Sequence, residues 1–220
     1  MKQPVWIAGA SGLVGRELLT VLLERGVDVH ALLRRAVPDL AKDDHLHQHE
    51  VDFARLQLDA LPAPQAVYIA LGTTIAVAGS QAAFRAVDHD AVLAVARAAK
   101  TAGARRCAVV SALGADAKSS VFYSRVKGET EQALGGIGFE QLVIARPSLL
   151  VGERAALGQP TRAGEVWGER LTRPIRALIP ARWRPIPAER VARAMVAALD
   201  EAAGPKLRVL ESDTLQRMGR

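Results

Sequence analysis

Tyr123 and Lys127 stand four positions apart in Val121-Phe122-Tyr123-Ser124-Arg125-Val126-Lys127-Gly128-Glu129, where the pattern predicts a helix over 121–134. Residues at i and i+4 of a helix share one face. A phenol, with an ordinary pKa of about 10, moves protons poorly at neutral pH. An ammonium beside it favours the phenolate and brings it toward acid–base work. Ser111 closes the apolar run Arg106 to Ser111, twelve residues before Tyr123, and could hold a carbonyl oxygen next to that phenol. Lysine is common enough that about 5% of tyrosines have one four positions on by chance. Placement in the fold therefore decides the matter.

The elements that must do the placing begin at Val5-Trp6-Ile7-Ala8-Gly9-Ala10-Ser11-Gly12-Leu13-Val14-Gly15. An apolar run leads into three glycines spaced three apart, and a helical pattern follows from Gly15 to Arg25. Gly9 and Gly12 would let the chain turn sharply and approach a pyrophosphate, and Gly15 would let the helix pack close to the strand. The bare N–H groups of the helix's first turn and its positive dipole end would face the anion.

A second strand over 27–33 ends on Arg34-Arg35. In a dinucleotide-binding unit this position meets the adenosine ribose, where an acidic residue suits NAD and an arginine accommodates the 2′-phosphate of NADP. A third strand ends at Val51-Asp52-Phe53, with Asp52 placed to accept from an adenine amino group or to cap a helix. A fourth, from Gln65, runs into Leu71-Gly72-Thr73-Thr74, small residues over which a cofactor can lie. A long helix follows from Ala82 to Gly103, with Phe84, Val87, Ala91, Val95 and Ala98 at helical spacing. Strands at 106–111 and 139–145 complete a strand–helix alternation without hairpin signals. The fold class is α/β, a doubly wound parallel sheet.

Arg146-Pro147 turns the chain away from the sheet, and residues 146–205 are expected to form a small substrate lobe within one domain spanning 1–220. Trp167, Leu171, Ile175 and Leu178 recur there at helical spacing, and a helix from Ile186, a last strand over 206–210 and a frayed tail over 214–220 follow.

Composition excludes several classes. Half of the 220 residues are hydrophobic but only 4% are aromatic, so Ala, Val, Leu and Ile must build the core. The one cysteine, Cys107, lies in an apolar run and reads as a core residue. His45, His47 and His49 alternate along one strand face, but a metal centre wants ligands converging from several elements, so no metal is expected. The net charge of +6 arises entirely after Ala145: residues 1–145 carry 15 Lys and Arg against 15 Asp and Glu, and residues 146–220 carry 14 against 8. These charges are dispersed and no nucleic-acid motif accompanies them, so nucleic acid is not the expected partner. With neither an apolar leader core nor an uninterrupted apolar span, the reading is a cytoplasmic chain off the membrane. Helices flanking the 82–103 segment could form a homodimer face.

Taken together, Gly9-x-x-Gly12-x-x-Gly15, Leu71-Gly72-Thr73-Thr74, Ser111, Tyr123-x-x-x-Lys127 and Arg146-Pro147 resemble the short-chain dehydrogenase/reductase superfamily in its extended or atypical NAD(P)-binding branch. Within it, Leu71-Gly72-Thr73-Thr74…Ala78-Gly79 and Gly114-Ala115-Asp116…Ser119 to Glu129 resemble the Tat-interacting oxidoreductase-like proteins. The resemblance implies a Rossmann fold holding NADP(H). Tyr123 would be the catalytic acid/base, Lys127 would bind the nicotinamide ribose and tune Tyr123, and Ser111 would orient a small-molecule substrate. Cofactor contacts would come from Gly9, Ser11, Gly12, Leu13, Gly15, Arg34, Arg35, Asp52, Leu71, Gly72, Thr73, Tyr123, Lys127, Arg146 and Pro147. The expected activity is NADP-dependent oxidoreduction of a carbonyl or alcohol. The alternatives are a regulatory or redox-sensing NADP-binding protein, or a sugar-nucleotide epimerase or dehydratase, against which the short C-terminal part weighs.

Overall fold

The structure, a computed structural model, describes residues 4–38, 40–151, 180–202 and 204–220. Its strands are β1 (Val5–Ala8), β2 (Val29–Leu33), β3 (Leu46–Glu50), β4 (Ala66–Ile69), β5 (Arg106–Val110), β6 (Gln141–Arg146), β7 (Leu150–Val151), β8 (Ile186–Pro187) and β9 (Leu207–Glu211). Seven of them form one parallel sheet in the order β3-β2-β1-β4-β5-β6-β9, while β7 and β8 pair separately. The chain starts mid-sheet at β1, works outward to β3, then returns to β4 and continues the other way. This reversal opens a crevice at the carboxyl ends of β1 and β4, the place where such sheets receive ligands.

The helices are α1 (Leu13–Leu23), α2 (Ile75–Ala78), α3 (Gln81–Arg85), α4 (Val92–Thr101), α5 (Phe122–Gly135), α6 (Ala188–Asp200) and α7 (Ser212–Met218). Strand side chains alternate between two cores, because successive residues of a strand point to opposite faces. Ile7, Ala31, Tyr68 and Val143 join α1 and α6 on one face. Trp6, Leu32, Val67, Ile69, Cys107 and Ile144 join α4 and the end of α5 on the other. Coverage on both faces explains why β1, β2 and β4 are buried along their full length rather than alternating in polarity. Cys107 is fully buried, and that burial pushes its thiol well above the ordinary range.

Three expectations need correction. The 82–103 helix is not continuous: a π-helical turn over Ala86–Ala91 separates α3 from α4. Asp88, four positions after the buried Phe84, is buried on the same face, while Val87 is only half-buried. The 214–220 tail is docked rather than frayed, with Leu215 fully buried. Gly219 sits so close to Arg190 that an added Cβ would lie 2.1 Å from its carbonyl oxygen. Residues 186–187 form a strand before α6 begins. The repeat of Trp167, Leu171, Ile175 and Leu178 lies outside the described residues.

The histidine pattern is also redistributed. His45 precedes β3 and pairs with Asp28 at 2.7 Å. His47 and His49 share a face with His30 of β2, whose Nδ1 lies 2.8 Å from Nε2 of His49. Among the described residues no group of three or more His, Cys, Asp or Glu is arranged to hold a metal. His30 is only 7% exposed, and burial followed by the neighbouring His49 and His47 lowers its pKa to about 4. Burial also lowers that of His49. A depressed histidine favours the neutral folded form, so this stabilisation is complete above about 6.5 and fades as pH falls toward about 4. His45, raised by Asp28, works in the opposite sense at the surface. We expect the thermal unfolding midpoint of the native chain to fall steeply as pH drops from about 6.5 to about 4, and His30→Leu to flatten that limb. An identical acid limb in both chains would refute the assignment.

Candidate active site

The site begins at the glycine turn. Gly9 has φ +88°, a conformation glycine adopts without strain, and an added Cβ would sit 2.5 Å from the Ala70 carbonyl at the end of β4. At Gly15 an added Cβ would lie 2.0 Å from the Gly9 carbonyl oxygen, so this glycine lets α1 seat directly on the turn. The α1 N-terminus has Gly12 as its cap with no side-chain hydrogen bond, and no acidic residue occupies its first turn. Its N–H groups thus face an anion site without an internal competitor. Arg16 follows, with Nε buried and lacking a hydrogen-bond partner among the described residues. Arg34 and Arg35 are exposed just beyond β2. Asp52 is exposed beyond β3, and its carboxylate accepts from the Ala54 N–H at 2.9 Å. A glycine cradle, an uncapped helix end and an uncommitted guanidinium nitrogen fit the pyrophosphate of a nicotinamide dinucleotide.

The other half of the site is built from the end of β4 and two facing helices. Tyr123, the second residue of α5, is half-buried, its ring 5.5 Å from that of the buried Phe84 on α3. Lys127, one helical turn on, is buried, and its Nζ lies 2.7 Å from Oδ1 of Asp88. This is an ion-pair contact off the hydrogen-bonding direction, since Asp88 Oδ1 has no aligned donor. The other oxygen, Oδ2, accepts from the Thr73 N–H at 2.8 Å. Gly72 lies directly over the pair: an added Cβ would be 3.5 Å from Asp88 Oδ1 and 4.0 Å from Lys127 Nζ. Gly128, next along, lets the 116–117 backbone cross α5 where a Cβ would be 2.1 Å from the Ala117 nitrogen.

Ser111 is buried at the carboxyl end of β5, and its hydroxyl donates to Oε1 of Glu131 on α5. Glu131 is in turn gripped by Arg146, whose Nε donates to Oε1 at 3.0 Å and whose Nη1 reaches Glu211 at 3.0 Å. Glu131 is the leading cause that holds the Arg146 guanidinium above its already high range. Arg146 therefore ties β6, α5 and β9 together. Pro147 is buried, and its carbonyl accepts from the Leu113 N–H at 2.9 Å.

The fold thus gathers Gly9, Ser11, Gly12, Leu13, Gly15, Leu71, Gly72, Thr73, Ser111, Tyr123 and Lys127 along the carboxyl edges of β1, β4 and β5. It commits Arg146 and Ser111 to one buried network. Asp88, Glu131 and Arg16 escaped the sequence reading. For Asp88 a signal existed, an acidic residue one helical turn after Phe84, but it was submerged in an alanine-rich pattern.

The family model described as the NAD dependent epimerase/dehydratase family matches residues 5–135. The chain belongs to this family. Over 224 residues it is 31% identical to Protein HTATIP2 of Rattus norvegicus, covering 98% of this chain and 89% of that protein, in keeping with the Tat-interacting resemblance. Over 162 residues it is 36% identical to Protein FMP52, mitochondrial, of Coccidioides immitis, covering 67% of this chain and 66% of that protein. Two solved family-fold structures align closely. WbmH of Bordetella bronchiseptica in complex with NAD+ gives a TM-score of 0.71 at 19% identity, covering 96% of this chain and 75% of that one. Human epimerase family protein SDR39U1 with NADPH gives 0.63 at 18%, covering 94% and 72%. At these identities the likeness shows the Rossmann-type fold. The cytoplasmic expectation is overturned, because the FMP52 relatives are named as mitochondrial. That expectation tested only for the apolar core of a secretory leader, whereas organelle import is read from amphipathic basic segments.

Proposed function

We propose that the chain is an NADP(H)-dependent oxidoreductase acting on a small carbonyl or alcohol, with residues 1–220 working as one unit and 146–205 as its reduced substrate lobe. The observation that carries this reading is the burial of Lys127 beneath Gly72, one helical turn from Tyr123, at the sheet edge that also holds the glycine turn. The turn at Gly9, Gly12 and Gly15 would hold the pyrophosphate, and Arg34 with Arg35 the 2′-phosphate. Leu71, Gly72 and Thr73 would line the path to the nicotinamide ribose, which Lys127 would bind. The bound nicotinamide supplies or takes up a hydride. Tyr123 gives its hydroxyl proton to the carbonyl oxygen in reduction, or receives the alcohol proton in oxidation. Ser111, whose own proton is directed to Glu131, meets a substrate hydroxyl with its lone pairs.

The test is NADPH and NADH oxidation against a panel of aldehydes and ketones, with the reverse reaction on the matching alcohols. Robust turnover with NADPH supports the proposal. Tight NADPH binding without turnover on any member supports a second reading, a regulatory nicotinamide-binding protein. The commitment of the Ser111 hydroxyl to Glu131 favours that reading. Cofactor preference has its own test. Arg34→Ala should weaken NADPH at least about tenfold, as expected for losing a charge-assisted hydrogen bond, and leave NADH unchanged. Equal losses in a fluorescence titration would exclude the 2′-phosphate role.

A further inference from the structure

We propose that Asp88 is a positioning residue that locks Lys127 and the Gly72–Thr73 loop into one unit before the cofactor arrives. The proposal rests on the oxidoreductase reading and deepens it. Three independent contacts converge on Asp88, which is 1% exposed. Its Oδ1 faces Lys127 Nζ at 2.7 Å, its Oδ2 accepts from the Thr73 N–H at 2.8 Å, and its backbone carbonyl shares the Thr130 hydroxyl proton, at 3.1 Å, with the Val126 carbonyl at 2.8 Å. The last contact comes from the same helix as Lys127.

The backbone explains how an acid reaches this spot. Asp88 stands four positions after the buried Phe84, the spacing that keeps two residues on one helix face, and it lies within the π-helical turn over Ala86–Ala91. Such turns interrupt regular α-helix geometry and are frequent at functional sites. Phe84 and Asp88 then stand four apart on one segment, facing Tyr123 and Lys127 four apart on the other. The outer pair Arg85–Glu129, at 2.5 Å, bridges the same two segments.

The arrangement has a definite purpose for a buried lysine. An ammonium taken out of water without a partner is costly and loses either its proton or its place. The Asp88 carboxylate supplies the partner. Because the same carboxylate also holds the Thr73 N–H through its other oxygen, one side chain sets the place of both the lysine and the loop over which the cofactor would lie. Preorganisation of this kind removes an ordering cost from binding.

The experiment is a double-mutant cycle with Asp88→Asn, Lys127→Met and the double variant, reading NADPH affinity by fluorescence and thermal stability in parallel. Asparagine keeps an acceptor for Thr73 but gives up the charge. If Asp88 acts through Lys127, each single variant weakens NADPH about tenfold or more, and the double variant is no weaker than Lys127→Met alone. Its stability rises above that of Lys127→Met, since no charge is stranded, yet its affinity does not recover. A merely structural pair would restore both together. Losses that multiply in the double variant overturn the proposal, as does recovery of affinity along with stability. Should Asp88→Asn fail to fold, the comparison of Lys127→Met with the double variant decides alone. Failure of the native chain to bind NADPH overturns the cofactor reading itself. Native binding with multiplicative losses overturns only the Asp88 assignment.

Discussion

Tyr123→Phe lowers carbonyl-dependent oxidation of NADPH by about 10²–10⁴-fold, the range for loss of a positioned general acid, while NADPH binding persists. The substitution removes one oxygen from a ring whose packing stays in place. Phe84 lies 5.5 Å away between ring centroids and is fully buried, so a phenylalanine ring fills the same space without opening a cavity. Lys127 and Asp88 are untouched by the change. A rate loss in Tyr123→Phe therefore reports proton transfer rather than folding. The measurement is steady-state kinetics on any member of the carbonyl panel that the native chain reduces, with NADPH affinity measured alongside. Unchanged turnover would remove Tyr123 from the chemistry and leave the fold and the cofactor site standing.

Arg146→Ala is expected to cost about 3 kcal/mol or more, the usual penalty for removing one partner of a buried ion pair. Glu131 is only 8% exposed and depends on Arg146 through both carboxylate oxygens. Without the guanidinium, its charge is stranded beside Ser111, and Glu211 on β9 loses its link to β6. Arg146→Lys recovers part of the loss, since a lysine restores the charge but not the planar fork that meets two carboxylates at once. Chemical denaturation resolves the three chains. A stability of Arg146→Ala within about 0.5 kcal/mol of the native chain, the ordinary spread for surface substitutions, would show the network to be of no consequence. The double variant Arg146→Met/Glu131→Leu, which strands no charge, should be more stable than Arg146→Ala.

The arginine illustrates where sequence reasoning reaches its limit. Arg146-Pro147 belongs to an ordered set of motifs that points to a nicotinamide-binding family, and the family assignment stands on residues 5–135 together with a relative aligned over nearly the full chain. Yet its partners are 15 and 65 positions away, and they meet it only because β9 pairs with β6 while α5 packs across the same edge. Nothing local to Arg146 distinguishes a cofactor contact from a strut. Ser111 is a parallel case. Its place at the end of β5 was legible from the apolar run before it, whereas the direction of its proton was decided by Glu131, twenty residues later on a different element.

What the sequence determined by itself were the features whose cause is local. Gly9, Gly12 and Gly15 dictate a turn and a bare helix end because other residues would clash with neighbouring backbone. Apolar runs with no hairpin between them dictate parallel strands, and i, i+4 spacing puts Tyr123 beside Lys127. What only the tertiary structure decided were the pairings of charge. Asp88 shares the inward face with Phe84, four positions before it, but its meeting with Lys127 depends on α5 packing across that face, which no periodicity within one helix specifies. The surroundings of Lys127 follow from that packing. An ammonium that the sequence pairs with Tyr123 is, in the folded chain, also held by Asp88.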